Sequence, residues 1–170
     1  MSSNGWSFFN TTIYKQIVIF VFMENVILEG LTIFYTDDDQ DDLDFFAEVV
    51  EDMGIKLNLV TQNNGHKLID ALQNPPPNPH IVFLDLNMPG INGFQILQQL
   101  RATDKFKNLP IVVFSTSNDD FIIAKSMDLG ASFYVNKPSN YAILKQSIQY
   151  ALNINWNTFV TTRENFLYVN

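Results

Sequence analysis

Short, dense apolar runs alternate along this chain with stretches in which apolar residues recur every third or fourth position. Leu31 to Thr36 is the first dense run, and it ends in Asp37-Asp38-Asp39. After it Leu43, Phe45, Phe46, Val49, Val50 and Met53 recur at helical spacing, and Gly54 closes the helix. Lys56 to Thr61 alternates as a second strand, and Gly65 to Leu72 reads as a short helix. Asn74-Pro75-Pro76-Pro77-Asn78-Pro79 forbids regular structure and predicts a surface loop. Ile81 to Leu84 is a strand buried on both faces that delivers Asp85 to its carboxyl end. Met88-Pro89-Gly90 and Gly93 then turn the chain into a helix reaching about Arg101. Pro110 opens the strand Ile111 to Phe114, Asp119 to Leu129 is a helix closed by Gly130, Ser132 to Val135 is the fifth strand, and Tyr141 to Ile154 the last helix.

Five strands alternating with five helices predict an α/β fold: a doubly wound, five-stranded parallel sheet covered by helices on both faces. Right-handed crossovers leave few topologies, and 2-1-3-4-5 is the natural order for so short a chain. The expected organisation is an amino-terminal extension over 1–30, one domain over 31–154 and a carboxyl-terminal tail over 155–170. In the extension, Lys15, Gln16, Glu24 and Asn25 interrupt the apolar run Ile17 to Met23 too soon for a membrane span of about 20 residues. No secretory signal pattern is evident there, and Met23 is a second candidate initiator. The tail carries Trp156, Phe159, Phe166, Leu167 and Tyr168, is too short for a DNA-binding domain, and is expected to pack on the domain or on another chain.

Charge narrows the function. Ten basic against 18 acidic residues give a net charge of -8, which disfavours direct binding of nucleic acid. Cysteine is absent, which removes thiolate chemistry and is compatible with a cytoplasmic location. In a parallel sheet the strands' carboxyl ends share one edge, where open α/β sheets bind their ligands. That edge would gather Asp37 and Asp38 from strand one, Asp85 from strand three, Ser115 and Thr116 from strand four, and Lys137 just beyond strand five. Carboxylates so close raise one another's pKa unless a cation neutralises them. Hard oxygen donors without His or Cys suit magnesium. A metal beside an accessible Asp at a helix start points to phosphoryl transfer onto Asp85, with Lys137 and the hydroxyls offsetting charge on the phosphoryl oxygens. The remaining acidic residues, Asp39, Asp41, Asp42 and Asp44, read as a solvated helix start, where negative charge is favourable. His66 and His80 read as surface or loop residues.

From Leu31 to about Trp156 the chain resembles the receiver domain of two-component response regulators, of the single-domain kind similar to chemotaxis-type and phytochrome-associated regulators. The resemblance rests on the acidic pair Asp37-Asp38, on Asp85-Leu-Asn-Met-Pro-Gly-Ile-Asn-Gly93, on Ser115 after Val112-Val113-Phe114, and on Lys137-Pro138. It implies a phosphorelay protein whose Asp85 accepts phosphate from a phosphohistidine on a sensor histidine kinase or phosphotransfer protein. It further implies Mg2+ held by Asp38, Asp85 and the backbone carbonyl of Asn87, with Asp37 acting partly through water. Ser115 and Tyr134 would form the switch, and the peptide before Pro138 would be cis. Output would pass by protein contact on the face of the fourth helix, fifth strand and fifth helix; a homodimer is compatible, and neither DNA nor membrane is a direct partner. Such a domain catalyses only its own phosphorylation and dephosphorylation and is not otherwise an enzyme. Two departures keep the chemistry: Ser115 stands for the commoner threonine, and Ser139 follows Lys-Pro where many members carry Phe. The competing reading is a Mg2+-dependent aspartyl-phosphate hydrolase. It would want a second Asp where this chain has Asn87, and a cap insertion that the chain lacks.

Overall fold

The computed structural model describes residues 30–75 and 79–169. The expected extension over 1–30 therefore lies outside the described residues except for Gly30, as does the middle of the Pro-rich loop. In chain order the elements are β1 (Thr32–Thr36), α1 (Gln40–Asp52), β2 (Asn58–Gln62), α2 (Gly65–Gln73), β3 (Pro79–Leu84), α3 (Gly93–Arg101), β4 (Ile111–Ser115), α4 (Asp120–Asp128), β5 (Phe133–Asn136) and α5 (Tyr141–Asn153). The strands form one sheet in the order β2-β1-β3-β4-β5, every pairing parallel, as the alternating pattern predicts. Bounds differ from the sequence expectation by one or two residues, the usual scatter at element ends, and Pro79, expected in the loop, instead opens β3, where a strand's first residue tolerates a missing N–H.

Each strand's alternation assigns its side chains to two apolar layers. Ile33, Tyr35, Phe83 and Phe114 pack with Phe46 and Val49 of α1 and Leu144 and Ile148 of α5. On the other face Phe34, Val82, Leu84 and Val113 meet Leu68 and Leu72 of α2 and Ile96, Leu97 and Leu100 of α3, with Ile122 and Met127 of α4 alongside. The central strands β1 and β4 are buried along their whole length, and β2, at the edge, is half exposed. Polar residues fix the helix starts. Asp39, Asn64, Asn92, Asp119 and Asn140 each accept a backbone N–H of the first turn, and Asn92 with Gln95 completes a capping box.

The tail settles on its own domain. Tyr134 N–H donates to Phe166 O and Tyr168 N–H donates to Tyr134 O, both at 2.8 Å, so residues 166–168 make a short parallel bridge along the outer edge of β5. Phe166 is 2% exposed and its ring lies 6.1 Å from that of Tyr134. Trp156 and Phe159 stack edge to face and Phe159 meets Phe133, while the Thr161 hydroxyl donates to Ser132 O. The parallel pairing of the tail continues the hydrogen-bonding direction of the sheet and covers one of its two edges.

Candidate functional site: an acidic pocket at the carboxyl edge of the sheet

Parallel pairing carries the ends of β1, β3, β4 and the segment after β5 to one edge. Asp37 and Asp85 are buried there, Asp38 is exposed, and carboxylate oxygens of the three lie within 4.8 Å of one another. Gly93 makes this placement feasible. A Cβ at that position would sit 2.5 Å from Asp85 O and 2.8 Å from Leu86 Cα, so only glycine lets α3 start so close to the end of β3. Gly90, at φ +81°, supplies the left-handed turn between them.

Lys137 closes the pocket. Its N–H donates to Ser115 O at 2.8 Å, extending the β4–β5 ladder by one bond beyond the strand and aiming the side chain inward. The ammonium bonds Asp37 Oδ2, bonds Asp42 Oδ2 at 2.8 Å, and lies 3.3 Å from Asp85 Oδ1. The peptide before Pro138 is trans, against the cis bond implied by the resemblance, and Lys137 reaches the pocket nonetheless. Burial works against the Lys137 ammonium, yet hydrogen bonds to Asp37 and Asp42 and the charge of Asp85 hold its pKa above the ordinary lysine range. Asp85 is shifted the other way from most paired carboxylates. Burial pushes its pKa up and Asp37 adds to this, outweighing Lys137 and the Asn87 N–H, which donates to Asp85 Oδ2 at 2.6 Å.

The remaining expected residues occupy the rim. Ser115 is fully buried at the tip of β4, where its Oγ accepts the Ser117 N–H at 3.4 Å. Thr116 is exposed just past the strand and contributes its carbonyl, which accepts from the Asn136 side chain. Asn87 is exposed, and its N–H is the group that meets Asp85. Tyr134 is wholly buried, its hydroxyl donating to Ser117 O at 2.7 Å; burial raises its pKa, with Ser115 and Ser117 working against the rise. Tyr134 is thus linked to the rim through the loop after β4 and does not touch the carboxylates directly. His66 is exposed at the start of α2, away from the cluster.

Two residues at the site escape a reading of the sequence. Asp42, expected to be part of a solvated helix start, instead grips Lys137, 95 residues further along the chain. Tyr35, given no role in the reading of the first strand, donates its hydroxyl to Asp37 Oδ2 at 2.5 Å while its ring stacks on Phe46. Burial and then the Asp37 charge drive the Tyr35 phenol far above its ordinary pKa, so it acts only as a donor. Strand alternation puts Tyr35 and Asp37 on one face, which was the available signal. For Asp42 the sequence holds none, because its partner is distant.

A parallel 2-1-3-4-5 sheet with buried aspartates and one lysine at its carboxyl edge defines a receiver-type site. The response regulator receiver domain model matches residues 33–149, and the chain belongs to that family. Response regulator Rcp1 of Synechocystis sp. is 26% identical over 122 residues, spanning 69% of this chain and 83% of that protein. The match to a protein-glutamate methylesterase/protein-glutamine glutaminase of Trichodesmium erythraeum is 36% identical over 78 residues, but spans only 45% of this chain and 22% of that protein. Coverage of the transcriptional regulatory protein AfsQ1 of Streptomyces coelicolor is 32%, and of chemotaxis protein CheY1 of Helicobacter pylori 60%. Among solved structures, the phosphorylated cyanobacterial phytochrome response regulator RcpA superposes with a TM-score of 0.66 at 26% identity, covering 78% of this chain and 97% of that one. The Mn2+-bound form of Rcp1 gives 0.65 at 26%, covering 78% and 98%. Receiver domains are signalling domains that interact with histidine kinases or phosphodonors and bind Mg2+ or Mn2+ at an acidic pocket. Among the described residues no helix is long and apolar enough to cross a membrane.

Proposed function

We propose that this chain is a phospho-accepting receiver of a two-component phosphorelay in which Asp85 takes a phosphoryl group from a phosphohistidine donor. The observation that carries this reading is Lys137 at 3.3 Å from Asp85, inside a pocket whose other walls are Asp37 and Asp38. The donor set fits a hard divalent cation: oxygen donors close enough to share one ion, without His or Cys among them. Asp38 and Asp85 would hold the ion with the Asn87 carbonyl. Asp37 would act through water, since its oxygens already accept from Tyr35, Lys137 and the Asp39 N–H. When bound, Mg2+ offsets the charge of the carboxylates and of the incoming phosphoryl oxygens.

In the transfer, a carboxylate oxygen of Asp85 forms the bond to phosphorus as the phosphorus–nitrogen bond of the donor imidazole breaks, the electron pair leaving with that nitrogen. Asp85 attacks as its anion, so neutralisation of its neighbours lowers its raised pKa as well as screening the donor. Lys137 offers the ammonium that replaces Asp85 with a phosphoryl oxygen as partner. Ser115 and the backbone N–H groups around Thr116 and Ser117 lie along the same rim as donors. Reorientation of Ser115 would then be felt at Tyr134 through the Ser117 carbonyl. Output would follow by protein contact on the α4–β5–α5 face, with cytoplasmic location and kinase identity as parts of the same proposal.

Incubation with acetyl phosphate and Mg2+ tests the assignment by intact-protein mass. The parent is expected to gain one phosphoryl group and Asp85→Asn none. Equal labelling of the two would sink it.

A further inference from the structure

The lysine of the pocket has a counter-ion that belongs to none of the three clustered carboxylates. Asp42 Oδ2 lies 2.8 Å from Lys137 Nζ, on the first turn of α1, with its side chain 41% exposed against 9% for Lys137. Asp37 and Asp85, the other two partners of that ammonium, are both members of the three-carboxylate cluster. A divalent cation held by Asp38 and Asp85 would compete with Lys137 for Asp85 directly and draw on the charge of Asp37 through water, because two cations beside the same carboxylates repel. Asp42 lies outside that competition, and α1 holds it in place through the Asp39 cap and the burial of Leu43 and Phe46 just after it.

We propose that Asp42 is a positioning residue that keeps Lys137 inside the pocket once the metal has claimed Asp85 and engaged Asp37 through water. Resting on the assignment of Asp85 as acceptor, it gives Lys137 an anchor from which the ammonium reaches a phosphoryl oxygen. Asp44, one position past the intervening Leu43, carries the same charge but is bonded by the Gln40 side chain and does not meet Lys137, so it serves as a control for charge alone.

The test measures the affinity of the Mg2+-loaded protein for beryllofluoride, followed by amide chemical shifts, in six proteins of verified fold by thermal melting. Asp42→Asn is expected to weaken it about fivefold, the upper range for a half-exposed ion pair. Asp42→Glu should recover part of that loss, and Asp44→Asn should leave the affinity unchanged. In a Lys137→Ala background, adding Asp42→Asn should cost nothing further, because the only route of its effect is gone. An undiminished loss in that background, or an equal loss from Asp44→Asn, overturns the proposal while the acceptor assignment stands. Failure of the parent to bind beryllofluoride overturns both.

Discussion

At the carboxyl rim of the sheet three carboxylates crowd one ammonium, whereas along the β5 flank aromatic rings and two backbone hydrogen bonds fasten the tail. The first region is built against its own stability: Asp85 is buried beside Asp37, and its raised pKa records that the charged form is disfavoured there. The second has no ion pair among the described residues and gains from ring burial and backbone hydrogen bonds. Function and stability are thus drawn from different stretches of one fold, which is why substitutions in the two should separate the readouts.

The widest separation is expected for Asp85→Asn, which should abolish phosphoryl labelling yet melt above the parent in metal-free buffer. Its stability gain should depend on pH. With the folded pKa raised, the parent's Asp85 contributes stability that is fully present below the ordinary carboxylate range and is lost as pH rises through the raised value. The difference between variant and parent should therefore grow over that window and level off above it, as urea titrations at several pH values would reveal. A flat difference would contradict the buried, repelled carboxylate.

At the flank, Phe166→Ala should cost about 3 kcal/mol in urea unfolding while leaving labelling of Asp85 in place. Loss of labelling in the folded variant would tie the two regions together more tightly than the geometry suggests. Tyr35→Phe is expected to cost about 2 kcal/mol, since it strips a charge-assisted hydrogen bond from a buried carboxylate and leaves the ring stacking intact. It is a rim substitution read in stability, so a neutral result would show that water takes over the donor's place. The smallest effect, about 1 kcal/mol, is expected for Asn92→Ala, which removes the capping box at the start of α3 beside Gly93.

How far each region was legible follows from the range of its interactions. The rim residues Asp37, Asp38, Asp85, Ser115 and Lys137 could be placed because each stands at the end of a strand whose apolar run is visible, and parallel pairing sends all such ends to one edge. Topology followed from the same alternation of elements. Asp42 was misplaced for the opposite reason. A charged residue in the first turn of a helix is well explained locally, and its contact with Lys137 exists only after the sheet has been assembled. The tail's aromatic residues follow neither a period of two nor one of 3.6, because they are held by the backbone of β5 and by scattered rings, not by one face of an element. The cis peptide at Lys137-Pro138 was implied by the resemblance alone, and no local feature of the sequence bears on it.

The bridge to the tail has a bearing on how Tyr134 can move. Both of its main-chain polar groups are engaged by residues 166–168 on one side, and its neighbours in β5 are paired with β4 on the other, so the Cα is pinned from two directions. Displacement of the whole residue would break several bonds together, which leaves rotation about its side-chain torsions as the soft coordinate. Such torsions have a few discrete wells, and a ring turning on a fixed pivot can take up only a small number of settings, never a continuous slide.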